Sequence, residues 1–505
     1  MISFKVIPGK NCKIFVYITN IKTKQDLEIY DIVKKILTRT EYKPFTQGFN
    51  KNITYTYLIN DYLFPIQFWP DVKKQLDNFI KDQYVLENED LIFNNDIDEE
   101  DFDEWLNNCT FPEEIKLTDE YQYQRDSVFL ALKNKIGRIE VATSGGKTFI
   151  TYLYCRYLMD FLLTEDQKIL IVVPSKLLCT QLQKDFKEYD KYFKRHITVE
   201  TIFTGSKRII GADVVCGTFA SLGNYEQEYF DDYSVLICDE VHRAKAYTIR
   251  NEIYSKLLKC EYFFAMTGTM PKYNTLDYLH IVSMFGNELV KQTAKQNIDA
   301  GVSTPLKIHA IQIKYIDPEI KNYAKNLKES GIIGIEKYRT EKNFFQTYES
   351  RTQLIAKLLN AYSGNSLIMV DTVEYCQILE NFLIGKCPNW EFHQIHHLIE
   401  NRDEIIENMR IAKDHYCIIA TYGTMSTGVS IKNIENIYFP DGGKSEIRIR
   451  QSLGRGMRLF PSKEFCNIFD FQDMMPYCSF INHSRERNRI YTEQRFPVKI
   501  TEVKI

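Results

Sequence analysis

Short continuous apolar runs alternate with longer segments of helical spacing through the middle of the chain. The runs are Arg138–Ala142, Ile169–Val173, Val214–Gly217, Val235–Cys238 and Phe263–Thr267. A strand covered by helices on both sides of a parallel sheet reads as an unbroken apolar run, so this rhythm predicts buried parallel strands. It restarts beyond a mixed, charged bridge (Glu319–Arg351), with runs near Ser366–Val370, Cys417–Ala420, Ile437–Phe439 and Asn467–Phe471. Two α/β domains in tandem follow, over 117–300 and 301–505. Ahead of them, from Phe4 to Ile97, apolar runs are short and broken by Asn, Gly and Pro, and Trp69–Ile80 has apolar spacing suited to a helix. That predicts a small α+β domain over 1–97. An acidic segment containing Glu87, Glu89, Asp90, Asp96, Asp98, Glu99, Glu100, Asp101 and Asp103 comes next. It is expected to be solvated, with 98–116 a linker.

The length agrees with that division, since 505 residues exceed what one core organises. Hydrophobic residues at 44% and charged residues at 26% describe an ordinary globular chain able to bury large cores. The formal net charge of -3 removes any overall basic signature, so contact with nucleic acid would need local patches, backbone amides and helix N-termini. The 12 cysteines are scattered with no Cys-x-x-Cys pair, which reads as reduced core thiols and argues against a zinc or iron–sulfur site. No stretch reaches the roughly 18 apolar residues of a membrane span, and Met1–Lys10 lacks a sustained apolar signal region. No membrane association and no export are expected.

Candidate chemistry concentrates at the ends of the apolar runs. The first run ends in Val141-Ala142-Thr143-Ser144-Gly145-Gly146-Lys147-Thr148 and passes directly into a helical segment. Such a turn suits a triphosphate. Its glycines let backbone N–H groups approach the phosphates, the helix N-terminus favours negative charge, Lys147 adds a point charge and Thr148 offers an oxygen to Mg2+. Val141 stands where the strict pattern has Gly. Asp239-Glu240-Val241-His242 follows the run Val235–Cys238. Adjacent carboxylates at a strand's carboxyl end suit a cation and a reaction, with Asp239 holding Mg2+ and Glu240 orienting and deprotonating water. Upstream, in Tyr121-Gln122-Tyr123-Gln124-Arg125, the Gln124 amide has the donor and acceptor to read adenine, and Arg125 or a tyrosine can stack on the ring. In the second half, Gln451-Ser452-Leu453-Gly454-Arg455-Gly456-Met457-Arg458 sets two arginines three apart. On a helix they would share one face, and arginines from a second domain can neutralise charge on a transferred phosphoryl group.

In order along the chain, these segments and Thr267-Gly268-Thr269 resemble the signature set of superfamily 2 helicases. So do Pro174–Leu178 with Gln181, Gly217–Leu222, and Ala420-Thr421 through Thr427-Gly428-Val429-Ser430. Met284-Phe285-Gly286, Phe102–Leu106 and the tail His483–Phe496 are similar to the UvsW-type branch-migration helicases of tailed phages. The resemblance implies two RecA-like parallel-sheet domains preceded by the small α+β domain, and ATP with Mg2+ as cofactors. It adds Ser144, Gly145, Gly146 and Gly428 to the nucleotide site. It also assigns Ser175, Lys176, Thr218, Thr372, Thr421 and Thr424 to phosphate contacts along a nucleic-acid strand. Ser430 departs from the many members that carry Asp there. The implied partner is DNA, branched or duplex, with RNA–DNA hybrids and recombination or replication proteins as further partners. The implied location is the cytoplasm, that of the host if the chain is phage-encoded. The N-terminal domain, with Lys5, Lys10, Lys13, Lys22, Lys24, Lys34, Lys35, Arg39, Lys43 and Lys51, is expected to engage duplex DNA. Arg485, Arg487, Arg489 and Arg495, among Tyr491 and Phe496, offer a second basic and aromatic surface. Two alternatives stay open: a duplex translocase or RNA helicase without junction preference, and a phosphate-loop kinase or nucleotide-dependent switch, for which the second α/β half has no use.

Overall fold

The fold was analysed in a computed structural model, which describes residues 2–8, 14–43, 51–80, 84–89, 95–113, 115, 118–203, 211–242, 249–273, 275–425, 431–443 and 445–505. The chain divides into two compact units, Met1–Val141 with Gly146–Lys291, and Ala142–Gly145 with Gln292–Ile505.

The first unit opens with β1 (Ile2–Pro8), β2 (Ile14–Thr19), β3 (Thr38–Lys43), β4 (Lys51–Thr56), β5 (Leu63–Pro65) and β6 (Tyr84–Glu87). A four-stranded mixed sheet of order β5-β2-β1-β6 carries the helices Lys24–Leu37 and Trp69–Ile80, and β3 and β4 pair as a separate ribbon. The small α+β character expected from the broken apolar runs is present. Its core is shared with the α/β domain that follows. Phe68, Trp69 and Val72 share one buried cluster with Tyr278, Leu279 and Val282 of the helix Leu276–Phe285, which belongs to the following α/β domain. Tyr57 Oη hydrogen-bonds the Nδ1 of buried His280, and the Arg250 guanidinium lies 4.8 Å from the Tyr57 ring.

The acidic segment expected to be a solvated linker is helical over Glu99–Asn108, capped by Asp98, whose side chain accepts from the Glu100 and Asp101 amides. Phe102, Trp105 and Leu106 fall at helical spacing on one face. Phe102 and Leu106 are buried with Phe129 and Leu132, and Trp105 packs on Tyr157. Charge density obscures this three-residue apolar stripe in the sequence. Replacing Phe102, which is fully buried, with Ala is expected to cost about 3–5 kcal/mol of unfolding free energy. Urea denaturation checks this, and a variant as stable as the parent would mean that the helix is only peripherally attached.

The larger sheet of this unit comprises β7 (Ile136–Val141), β8 (Lys168–Val173), β9 (Val199–Ile202), β10 (Val214–Thr218), β11 (Tyr233–Asp239), β12 (Tyr262–Thr267) and β13 (Glu288–Gln292), in the order β13-β7-β12-β11-β8-β10-β9. Successive side chains of a strand face opposite sides. Accordingly Ile169, Ile171 and Val173 enter one core and Leu170 and Val172 the other. Burial on both faces is why β8 reads as an uninterrupted apolar run.

The second unit repeats the plan with β14 (Leu306–Lys314), β15 (Ser366–Val370), β16 (Glu391–Ile395), β17 (Tyr416–Thr421), β18 (Asn436–Phe439), β19 (Cys466–Asp473) and β20 (Val498–Lys504), in the order β16-β17-β15-β18-β19-β14-β20, every pairing parallel. The bridge Glu319–Arg351 forms the helices Pro318–Glu329 and Gly334–Thr347 and the start of Glu349–Ala361. Arg351 is fully buried there, with its Nε 2.8 Å from an Asp473 carboxylate oxygen. Together the two sheets give the tandem RecA-like architecture. The edge strand β20, Val-Lys-Ile-Thr-Glu-Val-Lys, is largely exposed, so no apolar run announces it.

Candidate ATP site and strand-contact residues

Apart from Gln124 and Arg125, which lie on the helix Gln122–Asn134, the candidate residues of the first unit lie at the carboxyl ends of strands, where loops lead to helix N-termini. Ligands bind at this edge of open α/β sheets because helix dipoles and unpaired amides converge there. β7, β12 and β11 are neighbours in the sheet, and so are β8 and β10. The edge therefore has two halves.

On the first half, the turn after β7 leads into the helix Lys147–Tyr157, which begins without a side-chain cap. Ser144 and Gly146 take left-handed backbone conformations, with φ of 70° and 77°. A Cβ at Gly146 would also lie 2.3 Å from Nε2 of Gln124, so a side chain there would displace that amide. The buried Gln124 is thus packed against the glycine turn from 22 positions upstream. Lys147 Nζ lies 3.6 Å from Glu240 Oε1 and donates to the Val141 carbonyl at 3.3 Å. Thr148, in the first turn, is partly exposed.

Asp239 ends β11, and Glu240 follows in a left-handed conformation (φ 51°), its amide donating to Asp239 Oδ1 at 2.8 Å. Desolvation, reinforced by the Glu240 carboxylate, holds Asp239 well above the usual carboxylate range, and Lys147 opposes this only in part. His242 lies with Nδ1 3.4 Å from Glu240 Oε2 and hydrogen-bonded to the Thr267 hydroxyl. Thr267 Oγ1 donates to the Thr269 carbonyl at 2.8 Å and accepts from the Thr269 amide. A continuous polar chain therefore runs from Lys147 through Glu240 and His242 to the turn after β12. Replacing His242 with Ala is expected to weaken the coupling between nucleic-acid binding and hydrolysis by a factor of roughly 2 to 30. ATPase rates with and without nucleic acid check this, and an unchanged stimulation ratio would remove His242 from the linkage.

Arg125 is placed differently from the expectation of a ring-stacking arginine. Its guanidinium is 2.7 Å from both Glu99 and Asp103 and lies over the Phe102 and Phe129 rings, so it secures the acidic helix.

On the second half of the edge, Ser175 caps the helix Lys176–Tyr189, Lys176 is exposed, and Thr218 caps the turn after β10, accepting from the Ser221 amide. In the second unit, Thr372 caps the helix Val373–Lys386, and the Thr421 and Thr424 hydroxyls are 3.0 Å apart beyond β17. β15 and β17 are neighbours, so Thr372 and Thr421 stand at adjacent strand ends. Gly428 and Ser430 lie outside the described residues.

Arg455 occupies the last turn of the helix Glu446–Gly456, but Arg458 lies past its end, so the shared helical face expected from their spacing does not form. What holds Arg458 instead is illegible in the sequence. Thr304, buried ahead of β14, donates its amide to the Met457 carbonyl at 2.8 Å and its hydroxyl to the Arg458 carbonyl at 2.9 Å. Lys463 Nζ caps the helix end through the Gly456 carbonyl at 3.1 Å. Burial, with Arg410 nearby, pushes the Arg458 guanidinium down to about 10. The tail expected to offer a basic and aromatic surface is largely core: Arg487 is buried against Asp470 at 2.8 Å, Tyr491 and Phe496 are buried, and Arg489 pairs with Glu446, Glu486 and Glu493. Arg485 and Arg495 are exposed.

Two families match the chain: "Type III restriction enzyme, res subunit" over residues 97–272 and "Helicase conserved C-terminal domain" over 350–460. The chain is 28% identical, over 428 residues, to the ATP-dependent DNA helicase uvsW of Enterobacteria phage T4, covering 81% of this chain and 79% of that relative. It is 22% identical to the putative ATP-dependent helicase IRC3 of Saccharomyces cerevisiae, covering 69% of this chain and 51% of the yeast protein. A fragment of a putative HsdR subunit of a type I restriction enzyme from Vibrio vulnificus YJ016 shares the fold, with a TM-score of 0.56 at 17% identity, covering 81% of this chain and 72% of that one. With the polar chain from Lys147 to Thr269 and two RecA-like sheets, these matches define an ATP-driven helicase of superfamily 2. Within that superfamily the chain is similar to the T4 uvsW helicase along most of its length. Among the described residues no helix is long and apolar enough to cross a membrane.

Proposed function

We propose that the chain is an ATP-dependent DNA helicase that remodels branched DNA, acting on four-way junctions, forks and R-loops. The observation that carries its chemistry is the Lys147–Glu240–His242–Thr267 chain, which lies beside the half-edge holding Ser175, Lys176 and Thr218. The phage T4 relative, a DNA helicase, supports DNA as the strand. In this reading Lys147 leaves Glu240 for the phosphates, and Glu240 is then free to take the proton of the attacking water. Gln124 reads adenine, and Arg455 and Arg458 neutralise charge on the transferred phosphoryl group.

The donors present fit Mg2+. The Thr148 hydroxyl and Asp239 carboxylate are hard oxygen ligands of the kind it takes alongside waters and phosphates, and desolvated Asp239 beside Glu240 lacks full charge compensation. These two residues would hold the ion, which supplies charge neutralisation on the phosphate oxygens.

In the N-terminal domain, Lys22, Lys24, Lys34 and Lys35 are exposed and available for duplex phosphates, while Lys10, Lys13 and the side chains of Lys43 and Lys51 lie outside the described residues. The test is unwinding of labelled four-way junctions, forks, RNA–DNA hybrids and linear duplexes by the full chain. Preference for branched substrates is expected, and equal rates on linear duplexes would favour a translocase without junction preference. Replacing those four lysines with Gln should reduce the log–log salt slope of junction binding by roughly 0.9 for each phosphate that is no longer neutralised. An unchanged slope would remove the domain from DNA recognition.

A further inference from the structure

The second unit contains a cavity of about 610 Å3 that no step above uses. That size falls in the range of small-ligand sites. Its walls include Tyr338, Tyr422 and Phe439, with Asp371, Arg448 and Asn482 supplying polar groups. The Tyr338 ring is held in place by stacking on Phe480, centroids 5.4 Å apart at 11°. Asp371 is fixed by Lys342 at 2.7 Å and Arg448 at 3.1 Å, and Arg448 is otherwise well exposed. Flat rings with a few fixed hydrogen-bonding groups suit a heteroaromatic base, which stacks through its faces and hydrogen-bonds through its edges.

Two further observations indicate where such a base would come from. Asp371 directly precedes Thr372, and Tyr422 directly follows Thr421, so the cavity is bounded by the immediate neighbours of both proposed phosphate contacts. Beside it, Ile333 and Ile335 are 81% and 72% exposed, and Ile335 lines the cavity. They lie on a segment whose Gly331 and Gly334 adopt positive φ (73° and 64°). Isoleucines presented this openly to water are unfavourable unless they meet an apolar surface, and apolar wedges that enter base stacks supply one use.

We propose that this cavity takes one unstacked nucleobase of the bound strand, with Ile333 and Ile335 as the apolar lip that parts it from its neighbour. The assignment rests on the reading of Thr372 and Thr421 as phosphate contacts. It gives the second unit a grip on each base, independent of base identity, in addition to its grip on the backbone.

The test uses the full chain and a single-stranded oligonucleotide carrying 5-iodouracil, irradiated to crosslink the base to an adjacent aromatic ring, with the adduct mapped by mass spectrometry. An adduct on Tyr338 or Tyr422 is expected. Gly443→Leu provides the second arm, because Gly443 lines the cavity and a Cβ there meets no heavy atom within 4 Å. The leucine should fill the space and lower that adduct roughly tenfold, in line with the loss of one base stack, with the thermal midpoint as the control for folding. Adducts mapping only elsewhere, an adduct that persists in Gly443→Leu, or one competed away by free nucleotide would each overturn the proposal. Stimulation of the parent protein's ATPase by the same oligonucleotide separates the outcomes. Stimulation without the adduct rejects the cavity alone, whereas absence of stimulation rejects the strand-contact reading beneath it.

Discussion

Lys147→Ala is expected to abolish ATP turnover while the protein remains folded. The Lys147 side chain is only 10% exposed, and its charge partner is Glu240 at 3.6 Å, so its removal deletes phosphate-directed charge and leaves the sheet untouched. The companion variant Glu240→Gln tests the other end of the pair. The amide preserves shape and keeps Asp239 and Thr148 in place but cannot accept the water's proton, so hydrolysis should fall by a factor of about 10²–10⁴, the usual worth of a general base. Binding of ATP to Glu240→Gln should survive, because the phosphate loop is intact. Steady-state turnover and equilibrium nucleotide binding, measured on the same preparations, check both. Near-parental hydrolysis by either variant would sink the assignment of this pair, and loss of the native circular-dichroism spectrum would show a structural origin for the defect.

Arg455→Ala and Arg458→Ala are expected to lose rate by a factor of order 10³ for a residue acting as an arginine finger, with much smaller changes in nucleotide affinity. Both arginines belong to the second unit and the phosphate loop's lysine to the first, so they contribute only when the two cooperate in the reaction. The Arg458 turn gives this prediction a control. Thr304→Val removes the hydroxyl bonded to the Arg458 carbonyl but keeps the guanidinium, so it should lower turnover far less than Arg458→Ala. Single-turnover hydrolysis at saturating ATP and DNA is the measurement. Full turnover in both alanine variants would mean that hydrolysis proceeds without arginines from the second unit.

The sequence by itself determines the parts of this protein whose physics is local. Interior strands such as β8 and β15 are buried on both faces, so their apolar runs announce them, and the run Ser366–Val370 coincides with β15 at both ends. The glycine turn after β7 and the Asp239–Glu240 step at the end of β11 are legible for the same reason, since a turn into a helix, or two carboxylates at a strand end, is set by a few consecutive residues. Tertiary structure alone decides what depends on distant partners. The acidic run reads as solvated because composition does not show which face of a helix is covered, and only the fold brings Phe102 against Phe129 and Arg125 against Glu99 and Asp103. Arg487 reads as a surface cation, yet Asp470, 17 positions away, neutralises it in the core. The sequence reads as a small separate domain over 1–97, but Tyr278, Leu279 and Val282 of the following α/β domain complete its core. The anchoring of Arg458 by Thr304 spans 154 positions, and no local pattern in a serine, a threonine and a proline could encode it.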